Sequence, residues 1–544
     1  MDVEGTIILL IATLMVIVAA AVAATKLRVP GPLILVLAGI AVSWLRILPS
    51  LSIDPNVILL LLLPPLLYAA AAAVPVASFR RDFGAINGLS ILLVIVTALG
   101  LGGLFVWLIP DLGFAWGVAL GAVLSPTDAV ATSIVRARGA PSRVAMIIDG
   151  EGLLNDASAI MVLKAAIAAA AASFSLWSAI GGFIVSLAMA VIVGIVVARV
   201  NLAIRARVRD RAVNTILSFA TPFLASTPVE MMHGSGLVAA VVAGLVASAV
   251  GPHLLPPGHR FSDRSNWATI GLVLEGIVFL TMGLQLANIV EKVGVEPNGL
   301  QRGLAIAALA LLAALVIRAL YVAGLLWGIR RKTARWRAAE DKVAAMRKTI
   351  EVGREKRIGA LGEGLGWHFE GARVFRRVAK QLADIDYLMR HPIEIGESLI
   401  IVWAGMRGAV TVAAAQILPI ETPHRPLLIL IAFAMAAMSL LIQGSTIGPL
   451  TGWLLRGRDH RMADEAEEAD RRRIRRILDQ TTKSVRRVEG MSEQDHRRAV
   501  IRAQRRALLE TADPGLLEAD AVSEALLKLD ANELLLDLRE DASP

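Results

Sequence analysis

The sequence predicts an all-α polytopic membrane protein with about thirteen transmembrane helices. Hydrophobic residues make up 56% of the 544 residues, and the mean hydropathy of +0.65 is well above that of ordinary soluble chains. Apolar windows of roughly 17 to 25 residues, the length of a helix that crosses a bilayer, recur along most of the chain. Two of these windows contain a proline or paired glycines beside a charge, which predicts interrupted helices.

The first apolar window is expected to remain as a span. It follows the acidic residues Asp2 and Glu4, whereas a cleaved signal peptide begins with a basic segment. The chain has no cysteine, which excludes disulfides and thiolate metal sites. The predicted spans are 5–24, 30–48, 56–74, 87–109, 113–135, 143–171, 178–204, 211–228, 235–250, 267–290, 302–328, 394–418 and 425–455.

Two hydrophilic segments divide the chain into four parts. Spans 1 to 11 occupy residues 1–329, and spans 12 and 13 occupy residues 392–456. Residues 330–391 and 457–544 are charged, have a helical composition and are expected to be a cytoplasmic insertion and a cytoplasmic tail. Solvated helices with membrane contacts are one interpretation of both segments, and a regulatory or dimerising role is the other.

Basic residues in alternate loops predict the orientation. The loops around Arg80, Arg136, Arg205 and Arg260 carry far more Lys and Arg than the intervening loops. Since basic residues are retained in the cytoplasm, we expect the N-terminus outside and the C-terminus inside. The net charge of +9 is then a topology signal, and nucleic-acid binding is not expected.

The fifth span contains a proline and a carboxylate in the motif SPTDAVA, residues 125 to 131. Pro126 cannot donate a backbone hydrogen bond and tends to end the helix before it. Entry from outside would place Asp128 near the middle of the bilayer, where a charge costs about 2.5–3.5 kcal/mol on insertion scales. Interrupted helices at this depth bring helix ends and backbone carbonyls to bound ions, so an ion site is expected here.

The sixth span carries a second polar group, in the motif DGEGLLNDASA. Glu151, Asn155 and Ser158 share one helix face, and Asp156 lies beside Asn155. Because this span enters from the opposite side, Asp156 is predicted at the same depth as Asp128. A cation needs several oxygen ligands to replace its water. The candidate ligands are Thr127, Asp128, Asn155, Asp156 and Ser158.

The motif WAGMRGAVT, residues 403 to 411, predicts a second interrupted helix. Gly405 and Gly408 flank Arg407 within an apolar span. If the spans divide as six, a linker and six, each interruption falls in the fifth span of its half, and the halves begin on opposite sides. This order predicts an inverted repeat of a secondary transporter, with the two broken helices crossing near the midplane.

Other intramembrane charges are expected to be mainly structural. Arg407 stays protonated and therefore needs an acidic partner, for which Glu151 and Glu275 are the candidates. Arg318, in VIRALYV, is interpreted in the same way. Lys164, about two turns beyond Asp156, either pairs with an acid or lines a pathway.

Five segments together resemble a known family. SPTDAVA, EGLLNDA, EGIVFLTMG, IRAL and GMRGAV follow one another in this order. Over about residues 5 to 455 the chain resembles the monovalent cation:proton antiporters of the Na+/H+ exchanger family. The LLND setting of Asn155 and Asp156 is the most specific part of the resemblance.

The resemblance implies roles for these residues. Asp156 would be the exchanging carboxylate, and Asn155, Asp128 and Thr127 would support the Na+ site. A further implication is a stabilising ion pair between Glu151 and Arg407. Glu275 and Arg318 match other family positions. A homodimer in the plasma (inner) membrane is also implied, with membrane lipid around it and with no cofactor beyond the transported Na+ and H+.

The expected mechanism is competition of Na+ and H+ for Asp156, which opens to one side of the membrane at a time. Because the residue before that carboxylate is the neutral Asn155, one carboxylate is expected to titrate in each cycle, which resembles electroneutral one-for-one exchange. In related antiporters with two adjacent aspartates, electrogenic exchange is expected. K+ or Li+ remains an alternative to Na+. Gly152 stands where the family often has a cation-ligating serine, so that ligand is either lost or replaced by Ser158 or water, which bears on ion selectivity.

Two other classes of protein are weighed against an antiporter. An intramembrane aspartyl protease would use two aspartates sharing a proton, but its Gly-x-Gly-Asp setting is absent. A cation channel would need a continuous pathway across the membrane. Two broken helices and a titratable group at the midpoint favour alternating access over such a pathway. The insertion 330–391 is larger than is usual in the family and has no assigned role.

Overall fold

A computed structural model of the protein describes ten segments of the chain, and every regular element within them is helical. The described residues are 3–27, 29–45, 57–128, 130–171, 176–293, 299–337, 393–456, 461–487, 491–512 and 519–541. Most of the insertion predicted at 330–391 lies outside the described residues.

Eight helical stretches in the described segments are long and apolar enough to cross a membrane: Ile7–Leu27, Phe83–Leu108, Ser142–Ala170, Gly181–Arg205, Gly236–Leu254, Pro257–Glu291, Gly299–Arg331 and Arg425–Leu454. Three shorter helices are also apolar: Gly31–Trp44, Val57–Ala73 and Phe114–Val123. The helices are α1 Val3–Leu27, α2 Gly31–Trp44, α3 Val57–Ala73, α4 Val76–Arg81, α5 Phe83–Leu108, α6 Phe114–Val123, α7 Val130–Ala137, α8 Ser142–Ala170, α9 Leu176–Arg205, α10 Arg211–Met231, α11 Gly236–Leu254, α12 Pro257–Leu284, α13 Leu286–Val293, α14 Gly299–Arg337, α15 Ile395–Trp403, α16 Ala409–Gln416 and α17 Arg425–Leu454.

Local sequence explains where several helices begin. The side chain of Asp210 accepts a hydrogen bond from the Val213 amide at 2.9 Å and caps α10, and Ser235 plays the same part for α11. Helix α12 begins at Pro257, a residue suited to the first helical position. Arg260 therefore lies on α12, which starts ten residues before the predicted span 267–290.

Small residues allow the membrane helices to pack closely. A side chain at Gly121 of α6 would meet the Ala98 carbonyl of α5, and one at Gly39 of α2 would meet Gly283 of α12. Helices α3 and α9 both pack against α11.

Two predicted spans each contain two short helices, which we call half-helices, with non-helical backbone between them. In the span 113–135, α6 ends at Val123 and α7 begins at Val130, with non-helical backbone at residues 125–128. In the span 394–418, α15 ends at Trp403 and α16 begins at Ala409, with non-helical backbone at residues 405–408. We call residues 124–128 the first break and residues 404–408 the second break.

The chain divides into two compact units. The first comprises the described parts of 1–76, 82–322 and 395–456, and contains both breaks. The second comprises those of 77–81, 323–394 and 457–544.

Three helices of the tail form a small bundle within the second unit. They are α18 Arg461–Ser484, α19 Glu493–Ala512 and α20 Ala519–Asp541. Its core contains the buried Ile474, Leu508 and Leu529. Arg505 of α19 binds Asp530 and Glu533 of α20, each at 2.6 Å. The described parts of residues 457–544 thus form helices around a core of their own.

Candidate ion-binding site at the two breaks

The two breaks are hydrogen-bonded to each other. The Asp128 amide donates to the Met406 carbonyl at 2.7 Å, and the Asp128 carboxylate accepts from the Val130 amide at 3.0 Å. A Cβ at Gly408 would lie 1.9 Å from Asp128 Oδ2, so Gly408 has room for no side chain. The carboxylate thus lies at the first turn of α7 and against Gly408, the residue that precedes α16, and helix N-termini favour negative charge.

Two buried arginines bind the helix ends on the other side of each break. Arg407, from the second break, donates through Nε to the Leu124 carbonyl at 3.1 Å, at the end of α6. Arg318 of α14 donates to the Ile401 carbonyl at 2.9 and 3.1 Å, near the end of α15. The last carbonyls of a helix have no partner within it and carry partial negative charge, so both arginines stabilise the half-helices.

Arg318 also neutralises Glu151 of α8. Its two terminal nitrogens bind the two carboxylate oxygens at 2.5 and 2.7 Å, and both side chains are buried. This contact corrects the sequence-based pairing of Glu151 with Arg407. The planar guanidinium of Arg318 can reach the carboxylate and the Ile401 carbonyl together, whereas Arg407 is occupied at the first break.

Helix α17 satisfies the polar backbone of the second break. Ser439 accepts a hydrogen bond from the Arg407 amide at 2.9 Å, and Gln443 donates to the Trp403 carbonyl at 3.0 Å. Ser439 and Gln443 are also joined to each other at 2.5 Å. Sequence reasoning missed this pair, although two polar residues four positions apart in an apolar span are a usable signal.

Asp156 of α8 is the carboxylate at this site that the protein leaves unbound. It is 7% exposed, and within the described segments it forms no hydrogen bond or ion pair. The charge of the Asp128 carboxylate acts on it. This electrostatic interaction supports the expectation that both aspartates belong to one site, where their repulsion would favour binding of a positive charge.

Asn155 connects α8 to the first break. Its side-chain nitrogen donates to the Thr127 hydroxyl at 2.7 Å and to the Thr127 carbonyl at 3.0 Å. Its Oδ1 is buried, and no described residue binds it. The Thr127 hydroxyl in turn donates to Glu151 at 2.8 Å. Since cations bind neutral oxygens as well as carboxylates, Asn155 Oδ1 is a candidate ligand.

The other predicted residues lie around this centre in different roles. Ser158 donates to the Leu154 carbonyl of its own helix at 3.0 Å, which leaves its oxygen able to accept. Glu275 of α12 interacts electrostatically with Asp128 and has no ion-pair partner among the described residues. Lys164 pairs with Glu230 at 3.5 Å, and 54% of its side chain is exposed. Of the two roles considered for Lys164, the structure shows pairing with an acid.

Buried carboxylates where two interrupted helices meet, in an apolar chain of many spans, define a membrane transporter for ions. The transmembrane sodium/hydrogen exchanger family profile matches residues 9–354 and 364–453. The chain belongs to that family of monovalent cation:proton antiporters, whose members are transporters and not enzymes.

Relatives and a solved structure agree with this family. An uncharacterised Na+/H+ exchanger of Mycobacterium tuberculosis is 26% identical over 483 residues, which cover 87% of this chain and 79% of that protein. The sodium, potassium, lithium and rubidium/H+ antiporter of Bacillus subtilis is 32% identical over 215 residues, covering 38% and 32%. The fold is similar to that of the sodium proton antiporter MjNhaP1 from Methanocaldococcus jannaschii, with a TM-score of 0.57 and 18% identity over 84% of this chain and 100% of that one.

Proposed function

We propose that the protein exchanges Na+ for H+ across the membrane by alternating access, and that the two ions compete for Asp156. The observation that carries this proposal is the carboxylate of Asp156, which is buried beside Asp128 and has no partner within the described segments. A buried carboxylate without a partner is costly, so it is stabilised by whichever cargo neutralises it.

Competition at one carboxylate is sufficient to couple the two fluxes. The site crosses between inward-facing and outward-facing states when it holds Na+ or a proton, since an unneutralised charge is expensive in the membrane. An ion gradient then drives the other ion in the opposite direction. Asp128 and Asn155 Oδ1 would supply further oxygens to Na+, with Thr127 holding the Asn155 amide in place.

We expect the exchange to be electroneutral. Asp156 is preceded by the neutral Asn155, and the Asp128 carboxylate is already engaged by the Val130 amide. One carboxylate then releases one proton for each Na+ bound, so the cycle moves no net charge.

The finer architecture belongs to the same proposal. Counting each pair of half-helices as one span, the described helices are compatible with thirteen spans in an inverted repeat whose broken helices cross near the midplane. The basic loops favour a plasma-membrane orientation with the N-terminus outside and the C-terminal tail in the cytoplasm. The homodimer remains an expectation drawn from family resemblance.

The decisive experiment measures proton flux in proteoliposomes with an imposed pH gradient, for the wild type and Asp156→Asn. Addition of Na+ should dissipate the gradient in the wild type, with saturation and without dependence on the membrane potential. The variant should lose this flux. Na+-dependent flux retained in Asp156→Asn would overturn the competition mechanism, and flux that does not saturate would favour a channel.

K+ and Li+ are the second candidates for the transported cation. Gly152 provides no side-chain oxygen where the family often has a serine, and the similar Bacillus subtilis antiporter is named for four cations. The same proteoliposomes should therefore be tested with each cation in turn. If K+ dissipates the gradient at lower concentration than Na+, the protein is a K+/H+ antiporter.

A further inference from the structure

Two buried threonines occupy the same position after each break. Helix α7 begins at Val130 and helix α16 at Ala409, so Thr132 and Thr411 are each the third residue of a half-helix. Thr132 is 3% exposed and Thr411 is 0% exposed. The hydroxyl of each is buried and has no hydrogen-bond partner among the residues that the structure describes.

The breaks explain why these hydroxyls have no partner. A threonine within a helix commonly donates to the carbonyl four residues earlier, as Thr221 does to Leu217 at 3.0 Å. For Thr132 and Thr411 the residues four positions earlier are Asp128 and Arg407, which lie in the non-helical breaks. The hydroxyls are therefore available in a region where an unsatisfied polar atom is costly.

Thr132 follows Asp128 by four residues, and Thr411 follows Gly408 by three, so each threonine is about one helical turn from a residue at the contact between the breaks. Asp128 accepts from the Val130 amide in the first turn of α7, and its other oxygen lies against Gly408, which precedes α16. By the orientation proposed above, α7 runs from the breaks to the basic cytoplasmic loop at Arg136, and α16 runs to the outer side. Thr132 and Thr411 then lie on opposite sides of the site.

We infer that Thr132 and Thr411 are hydroxyl ligands for the cation on its way to the aspartates, Thr132 for cations entering from the cytoplasm and Thr411 for cations entering from outside. Each hydroxyl binds the cation, or a water that the cation retains, before the carboxylates do. This inference rests on the proposed cation site and extends it to a matched pair of residues in the two halves.

The test is the concentration of Na+ that gives half-maximal exchange, measured from each face in inside-out and right-side-out membrane vesicles. The variants are Thr132→Val and Thr411→Val, which retain shape and remove the hydroxyl. Thr132→Val should raise this concentration about three- to tenfold at the cytoplasmic face, and Thr411→Val at the outer face. Thr→Ser at each position, which keeps the hydroxyl, should give the wild-type concentration.

A matched control is Thr451→Val in α17. The Thr451 hydroxyl is also buried without a partner, but it lies roughly 18 Å along α17 from Ser439, which contacts the second break. This control should leave both faces unchanged. A shift in Thr451→Val equal to that of the other variants would overturn the inference, because loss of any buried hydroxyl would then suffice.

Two further outcomes separate this inference from the proposed function. If neither valine variant shifts either face while Asp156→Asn abolishes exchange, the hydroxyls are not ligands and the proposed function stands. If both variants shift both faces equally, the assignment of one threonine to each side is wrong. Exchange retained in Asp156→Asn would instead refute the proposed function itself.

Discussion

Gly408 shows at the scale of one residue how closely the two breaks approach. A side chain there would overlap the Asp128 carboxylate, and one at Gly405 would overlap the Arg318 guanidinium. The sequence indicates both glycines as helix interruptions. Their second role, making room for charged groups, depends on contacts between distant spans that no local pattern contains.

Gly408→Ala should therefore damage the site. The added methyl group must displace Asp128 or the start of α16, and overpacking of this kind costs about 1–3 kcal/mol. We expect Na+-dependent exchange in proteoliposomes to be strongly reduced. Gly103→Ala in α5 is the control, because nothing lies within 4 Å of its added methyl group. Wild-type exchange by Gly408→Ala would show that the close approach is absent in the membrane.

The partner of Glu151 is a second prediction at this scale. Removing one member of a buried ion pair costs about 3–5 kcal/mol, so Glu151→Gln and Arg318→Met should each lower the unfolding temperature in detergent. The double variant should be more stable than the sum of the single effects predicts. A double-mutant cycle that combines Glu151→Gln with Arg407→Met should show much weaker coupling. Stronger coupling of Glu151 with Arg407 would restore the sequence-based pairing.

The chemical groups of the site could be predicted from single residues, but the pairing of these groups with each other could not. Asp128 and Asp156 are conspicuous because carboxylates in apolar spans are costly. Arg318 and Arg407 both need an acid by the same reasoning, and the sequence offers Glu151 to either. Only the geometry assigns Glu151 to Arg318, since Arg407 is held at the Leu124 carbonyl.

At the scale of helices, α17 stabilises the second break through side-chain hydrogen bonds. Its polar residues satisfy backbone groups that α15 and α16 leave open. The order of the spans followed from apolar length. Helix ends are predicted less accurately, because the first ten residues of α12 are mostly polar and hydropathy assigns them to a loop.

Gln443→Leu should weaken this support. The change leaves the Trp403 carbonyl without its donor, a loss of about 1–3 kcal/mol for a buried polar group. We expect a lower unfolding temperature and slower exchange. Ser445→Ala is the control, because Ser445 is exposed and donates only within α17. Equal effects of both changes would contradict a specific role of Gln443.

For the molecule as a whole, the tail bundle has a core separate from the membrane helices. Leu508 is fully buried in it, whereas 57% of Leu535 is exposed. Leu508→Ala should destabilise the bundle by about 2–5 kcal/mol and Leu535→Ala should have little effect. Limited proteolysis of the full-length protein should cut the tail faster in Leu508→Ala only. Equal cleavage of both variants would show that the bundle does not depend on this core.

The polytopic class and the charged tail could be predicted because the amino-acid composition of a segment indicates whether it lies in the membrane or in water. The three-helix packing of the tail could not, since its apolar residues are few and its helices are separated by short polar links. Pairing of Arg505 with two acids of α20 depends on a contact between helices that charge counts do not specify.

The reciprocal bonds between the breaks also constrain biosynthesis. Arg407 and Leu124 are 283 positions apart in the sequence, and Glu151 and Arg318 are 167 positions apart. A ribosome delivers the first break and Glu151 to the membrane long before their partners exist. During that interval the nascent chain holds exposed helix ends and an unpaired carboxylate in the bilayer, which are costly there. We therefore expect the early spans to need protection from lipid until the helices that carry Arg318 and Arg407 have been inserted.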